Sequence, residues 1–224
     1  MPKNILLVPV NHDSGMTAVF LGLIRTLQRK GIKTAYYKPI AQPKKRHSFG
    51  DQSNELVEVA ANFKAPKSLS RREAQALLQN GQDGRLMELV VAGYQEILEQ
   101  DYEVTVIPGI ALADDVSYAN RLNSAIAKAL DASIIFVANC SQEVKENIEI
   151  MSANFSQDRL IGTILNKVPV NEKRIPYLHQ SLLSQLSDDT DKDTLEQHPQ
   201  VIEYRKTKLP QLGIIPYSRA ISAP

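Results

Sequence analysis

The chain has 224 residues, a formal net charge of +1, one cysteine and four scattered histidines. That length suits one large domain, and 43% apolar with 23% charged residues is ordinary for a globular protein. A near-neutral balance excludes a general attraction to nucleic acid or to an anionic membrane. No apolar run approaches a bilayer span, and Met1–Val10 is too short and too quickly polar for a signal peptide. Cys140 has no second cysteine to pair with and the histidines lack zinc-type spacing, so the expected compartment is the cytoplasm.

In chain order, Ile5–Val10 is a continuous apolar run and reads as the first strand. Thr17–Lys30 follows as a helix whose apolar face is Val19, Phe20, Leu23, Ile24 and Leu27, stopped by Gly31. Thr34–Ile40 is the second strand, and the basic, glycine-containing loop Gln42–Asp51 leaves it. Ser70 and Glu73 have capping-box spacing ahead of Ala74–Leu78. Asp83 is placed to cap a helix carrying Leu86, Leu89, Val90, Ile97 and Leu98. Val104–Ile107, Ser133–Ala138, Leu160–Leu165 and Leu212–Ile215 complete the strands. Leu122, Ile126 and Leu130 mark one further helix between them, and Ile148, Met151 and Phe155 another. The polar, mostly acidic Ser184–Gln200 reads as an exposed excursion before the last strand. Continuous apolar strands alternating with helices predict an α/β fold of three layers, a mostly parallel sheet flanked by helices. There is no internal repeat.

The segment with chemistry to account for is Asn11–Thr17, "NHDSGMT", between the first strand and the first helix. A phosphate loop converges backbone N–H groups on the phosphates. A helix N-terminus, a lysine and a Ser/Thr hydroxyl that ligates magnesium complete it. Gly15 and Thr17 fit those parts, with Asp13 and Ser14 between the turn residues. Asn11 stands where an opening glycine belongs and Met16 where the lysine belongs. Asparagine tolerates left-handed geometry, whereas methionine neutralises no phosphate. His12 offers a donor to an anion, although an exposed turn histidine is the simpler state. On this motif alone an ordinary strand-to-helix turn accounts for the sequence equally well.

Further stretches bear on the choice. "YKPIAQP" at Tyr37–Pro43 follows "RKG" at the end of the first helix. "DQS" at Asp51–Ser53, "RLNSAIAKAL" at Arg121–Leu130, "ILNKV" at Ile164–Val168 and "LPQLGIIPY" at Leu209–Tyr217 come in order behind it. Together these resemble the opening domain of long-form bacterial phosphate acetyltransferases, a P-loop-like domain similar to dethiobiotin synthetase and the cobyrinic acid a,c-diamide synthase group. The resemblance covers essentially the whole chain. It implies a P-loop NTPase-like fold in which residues 1–224 are one regulatory domain, with the catalytic domain lying downstream. It further implies that Lys38 faces the substrate, Asp51 is the remnant of a magnesium site, and Asn166 and Lys167 lie where the family contacts a nucleotide base. The acidic residue that completes the metal site is replaced by Pro108 ahead of Gly109.

The expected function is therefore a regulatory or assembly domain of a phosphate acetyltransferase with no catalytic residue of its own and no ATP hydrolysis. No resident cofactor is expected. A nucleotide or an anionic metabolite is the expected kind of effector, with Lys44, Lys45 and Arg46 as a candidate clamp. The expected partners are the downstream domains of the same enzyme and further copies in a homo-oligomer. The competing readings are an ATP-dependent ligase of the dethiobiotin-synthetase type and a stand-alone pseudo-ATPase scaffold. Cys140, ending a strand with no base nearby in sequence, reads as structural.

Overall fold

The computed structural model describes residues 2–11, 13–41, 63, 65–110, 116–169 and 197–217, the side chains of 116–118 excepted. His12, Asp51 and the Lys44–Arg46 cluster lie outside the described residues, as does most of the acidic excursion. Six strands form one all-parallel sheet: β1 (Lys3–Pro9), β2 (Thr34–Tyr36), β3 (Val104–Pro108), β4 (Ala132–Asn139), β5 (Leu160–Val168) and β6 (Gln211–Pro216). Their spatial order is β2-β3-β1-β4-β5-β6. Among the described residues the helices are α1 (Met16–Arg29), α2 (Arg71–Gln79), α3 (Asp83–Leu98), α4 (Val116–Ala129), α5 (Val144–Ser152) and α6 (Pro199–Arg205).

Alternation along β1 assigns the layers. Leu7 points to one face and packs with Val19, Phe20 and Ile24 of α1. Leu6 and Val8 point to the other, where Tyr94 and Ile97 of α3, Ile126 of α4, Ile148 of α5 and Val201 of α6 cover them. The middle strands are thus buried on both sides, which is why they read as uninterrupted apolar runs. All six expected strands form. The second is shorter than expected because Pro39 has no N–H for a ladder. Tyr37 N still donates to Val106 O at 3.1 Å, and only Ile40 bridges again, to Leu69.

The helix signals resolve in physical terms. After α1, Gly31 sits at φ +78° and its N–H reaches Gln28 O at 2.9 Å, while Ile32 N reaches Leu27 O at 3.1 Å. These are the two bonds of a Schellman stop, so Gly31 ends the helix as expected. Ser70 Oγ accepts from Glu73 N at 3.1 Å at the start of α2. Asp83 does not cap α3; Gln82 holds that position, and Asp83 is the first helical residue, its carboxylate paired with Arg121 of α4. Phe155 lies beyond the end of α5, seated edge-on against Phe136 with ring centroids 5.4 Å apart. At the end of the supposed excursion, Pro199 opens α6, which buries Val201 and Tyr204. A seven-residue helix with two apolar contacts has too little periodicity to stand out in a polar sequence.

Candidate functional site

The sheet order places β1 between β3 and β4. From β1 the chain turns toward β2, whereas from β4 it continues toward β5, so the direction of winding reverses between β1 and β4. In an open parallel sheet the crevice outside the carboxyl ends at such a reversal is where ligands bind. The Asn11–Thr17 segment leaves β1 at that point.

Asn11 stitches the crevice together. Its Oδ1 accepts from Asn139 N at 2.9 Å, and its Nδ2 donates to Asn139 Oδ1 at 2.5 Å and to Ser141 Oγ at 3.4 Å. One ladder step earlier, Val10 N donates to Val137 O at 2.9 Å. Asparagine at this position therefore does what glycine cannot: it holds the exits of β1 and β4 side by side. The segment then turns through left-handed geometry at Asp13, φ +53°, and Gly15, φ +74°. Aspartate is among the few residues that visit that region at modest cost.

From β5, Asn166 Nδ2 donates to the Ser14 carbonyl at 2.8 Å, and both residues are buried. A Cβ built on Gly15 would lie 2.3 Å from that Nδ2 and 3.3 Å from Cε of Lys167. The glycine is required twice, by its backbone angle and by the asparagine pressed against it. Lys167 is itself left-handed, φ +59°, and lays its side chain over the turn. The "NK" pair expected from sequence is thus brought onto the loop.

Gly15 is the N-cap of α1 and supplies no side-chain cap, and the first turn carries no acidic residue. The leading N–H groups of α1 therefore have no helical acceptor and carry the positive end of its dipole. Met16, at the position of the missing lysine, packs on the cluster around Leu7, Phe20 and Val137. Thr17 occupies the second helical position and is half-buried.

The other expected residues fall nearby but not on the loop. Lys38 is buried just beyond β2, with β3 between that strand and β1. Pro108 ends β3 opposite Leu7 in register. Gly109 N donates to Leu7 O at 2.8 Å, and a Cβ there would stand 2.7 Å from that oxygen. Among the described residues no group of three or more His, Cys, Asp or Glu has the spacing to hold a metal ion.

Three residues that shape the crevice were not singled out as site residues from sequence: Asn123, Asn139 and Ser141. Asn123 is fully buried on α4; its Oδ1 accepts from Ile110 N at 2.7 Å and its Nδ2 donates to Ile110 O at 3.1 Å. It clamps the backbone just past β3. The available signal was a polar residue next to Leu122 and one turn before Ile126, on a stripe that should be apolar. Cys140 sits half-buried past β4, 3.8 Å from His198 Nδ1, and burial pushes its thiol pKa up. It is thus held protonated, away from the thiolate that reacts.

A family model described as an AAA domain matches residues 3–224. The chain belongs to that family. Its curated relatives include the phosphate acetyltransferases of Salmonella typhimurium, 31% identical over 97% of this chain, and of Escherichia coli, 32% identical over 97%. The chain spans 31% of the length of each. Among solved structures, the signal recognition particle receptor FtsY of Elizabethkingia anophelis in complex with GDP aligns with a TM-score of 0.55 at 12% identity, over 75% of this chain and 49% of that one. A second FtsY structure from that organism gives 0.52 at 14% identity, over 75% and 51%. At such identity the likeness concerns fold alone, and it gives this AAA-domain chain the P-loop NTPase-like architecture expected from its sequence. Among the described residues no helix is long and apolar enough to cross a membrane.

Proposed function

We propose that this chain is the opening, P-loop-like domain of a phosphate acetyltransferase, and that it regulates and helps assemble the enzyme rather than hydrolysing nucleotide. The parent reaction interconverts acetyl-CoA and phosphate with acetyl phosphate and CoA. The relatives of that name support the parent, and the 31% of their length that the chain spans supports a domain within it. In this reading residues 1–224 form one domain, its partners are the downstream domains and further copies of the enzyme, and its ligand is a nucleotide or anionic metabolite acting as effector.

The observation that carries the non-hydrolytic part is the fate of position 16. Phosphoryl transfer is mostly positioning and charge neutralisation. Here the side chain that should neutralise the phosphate is a half-buried thioether packed against the core cluster around Leu7, Phe20 and Val137. Pro108 removes the second requirement, because a hard cation needs oxygen ligands and proline has no side-chain oxygen. The same two positions weigh against a dethiobiotin-synthetase-type ligase.

Two measurements test this reading. Purified chain incubated with ATP and magnesium is expected to release phosphate at the buffer rate, and so is the Met16→Lys variant, since restoring the cation leaves the metal ligand missing. ATP turnover at an ordinary enzymatic rate by the unaltered chain overturns the non-hydrolytic reading. A thermal-shift screen with nucleotides, NADH, pyruvate and phosphoenolpyruvate tests the effector role, because a ligand bound only by the folded state raises the midpoint. No shift with any of them leaves assembly as the role.

A further inference from the structure

Right-handed crossovers leave one edge of the sheet thinly covered. The chain winds in a single direction from β2 through β3, β4 and β5 to β6, so α2–α6 lie on one face. Helix α1, wound the other way, covers β1, β2 and β3 from the opposite face. Strand β6 is the edge left over. Each of its six residues is at least partly exposed, whereas every residue of β2 at the other edge is buried.

Exposed apolar side chains gather at that edge. Among the described residues five large ones are exposed, and four of them are Ile161 of β5, Ile202 of α6, Leu212 of β6 and Tyr217 just past it. Leu212, 49% exposed, lies against Gly162, where a Cβ would stand 2.5 Å from its Cγ. Tyr204 fastens α6 to β5, its hydroxyl donating to Thr163 O at 2.7 Å. From Pro210 to Tyr217 no residue carries a charge. Edges that face water are ordinarily protected by charged side chains, so an uncharged apolar edge marks a contact surface. The ladder shifts register beside Leu212 and the strand ends at Pro216, so a long partner strand finds no continuous main-chain template. The contact is one of side chains.

We propose that two copies of the chain meet at this edge, β6 against β6, antiparallel about a two-fold axis. Two properties select a second copy as the occupant. An uncharged strip opposes no like charges when it is set against itself, as an isologous contact requires. The antiparallel arrangement also keeps Arg205, Lys206 and Lys208 of the two copies at opposite ends of the contact, a strand's length of about 20 Å apart. A six-residue strand and its few apolar neighbours make an interface at the small end of the range, so the dimer is transient, with a Kd of roughly 10–100 µM. This gives the assembly role proposed above a surface and rests on that reading for its purpose; the contact itself belongs to this chain alone.

Sedimentation velocity of the full chain between about 1 and 500 µM tests it, a range that brackets the expected Kd. The expected result is a monomer that passes to a dimer, and to nothing larger, as concentration rises. Leu212→Lys and Ile161→Lys, both surface changes, are each expected to weaken the dimer at least about tenfold with the circular dichroism unchanged. Ile150→Lys alters the fifth exposed side chain, which faces α4 from α5, and is expected to leave the dimer as it was. The proposal is overturned if the chain stays monomeric over the whole range, if its dimer survives both Leu212→Lys and Ile161→Lys, or if Ile150→Lys weakens it equally. Association that continues past the dimer also overturns it, because a two-fold contact closes. A monomeric chain leaves the ATP and effector measurements of the acetyltransferase reading standing, so the two readings fail separately.

Discussion

At the scale of single residues, the loop is a set of mutual constraints, and Gly15 is where they meet. Its angle of +74° alone penalises any side chain by about 1–2 kcal/mol. Gly15→Ala adds a collision with Asn166 Nδ2, so a loss of roughly 2 kcal/mol or more is expected in urea unfolding. Asn166→Ala forfeits the bond to the buried Ser14 carbonyl and is expected to cost about 1–3 kcal/mol. The double variant is expected to lose less than the two single losses added, because deleting the asparagine clears the space that the new methyl needs. Strict additivity would mean that the two residues do not touch in solution. Met16 and Asn11 show what was legible in sequence at this scale. That Met16 could not serve a phosphate was evident from its chemistry; that Asn11 bridges to Asn139 and Ser141 was not, because those partners lie 128 and 130 residues away.

Among the elements, the junction of β2 with α3 explains part of the "YKPIAQP" stretch. Tyr37 is buried and its hydroxyl donates to Val90 O at 2.7 Å. A Cβ on Gly93, one turn on, would stand 2.7 Å from that hydroxyl. The glycine is there to admit the tyrosine. Tyr37→Phe is expected to lose about 1 kcal/mol. Gly93→Ala is expected to destabilise the natural chain by collision, yet to stabilise the Tyr37→Phe background, where the helix gains up to about 1 kcal/mol of propensity. Chemical denaturation of the four proteins checks that reversal of sign. The strands were readable because burial on both faces leaves an unbroken apolar run. Helix starts were less so: Asp83 has the residue type of a cap, but the pull of Arg121 across to α4 is a tertiary effect that no local pattern carries.

For the whole molecule, burial sets a limit on alkaline stability. Burial raises the pKa of Tyr37, Tyr94 and Tyr204 above the ordinary tyrosine value. Their folded values lie above their unfolded ones, so the unfolded chain binds fewer protons once the pH passes about 10, and stability falls as pH rises from there. Ionisation of these three buried tyrosines, followed by ultraviolet absorbance, is expected to coincide with loss of circular dichroism in that range; their ionisation in a still-folded protein would contradict it. The alternation of strands and helices made the three-layer architecture legible, but not the reversal between β1 and β4, because strand order depends on which crossover each helix takes. One contact has a reach beyond its own neighbourhood. Asn123 grips both polar atoms of Ile110, so α4 is fastened to the backbone just past β3, the strand that lies beside β1. Asn123→Ala is expected to release that fastening, and faster amide hydrogen exchange at Ile110 would report the loosened crevice edge.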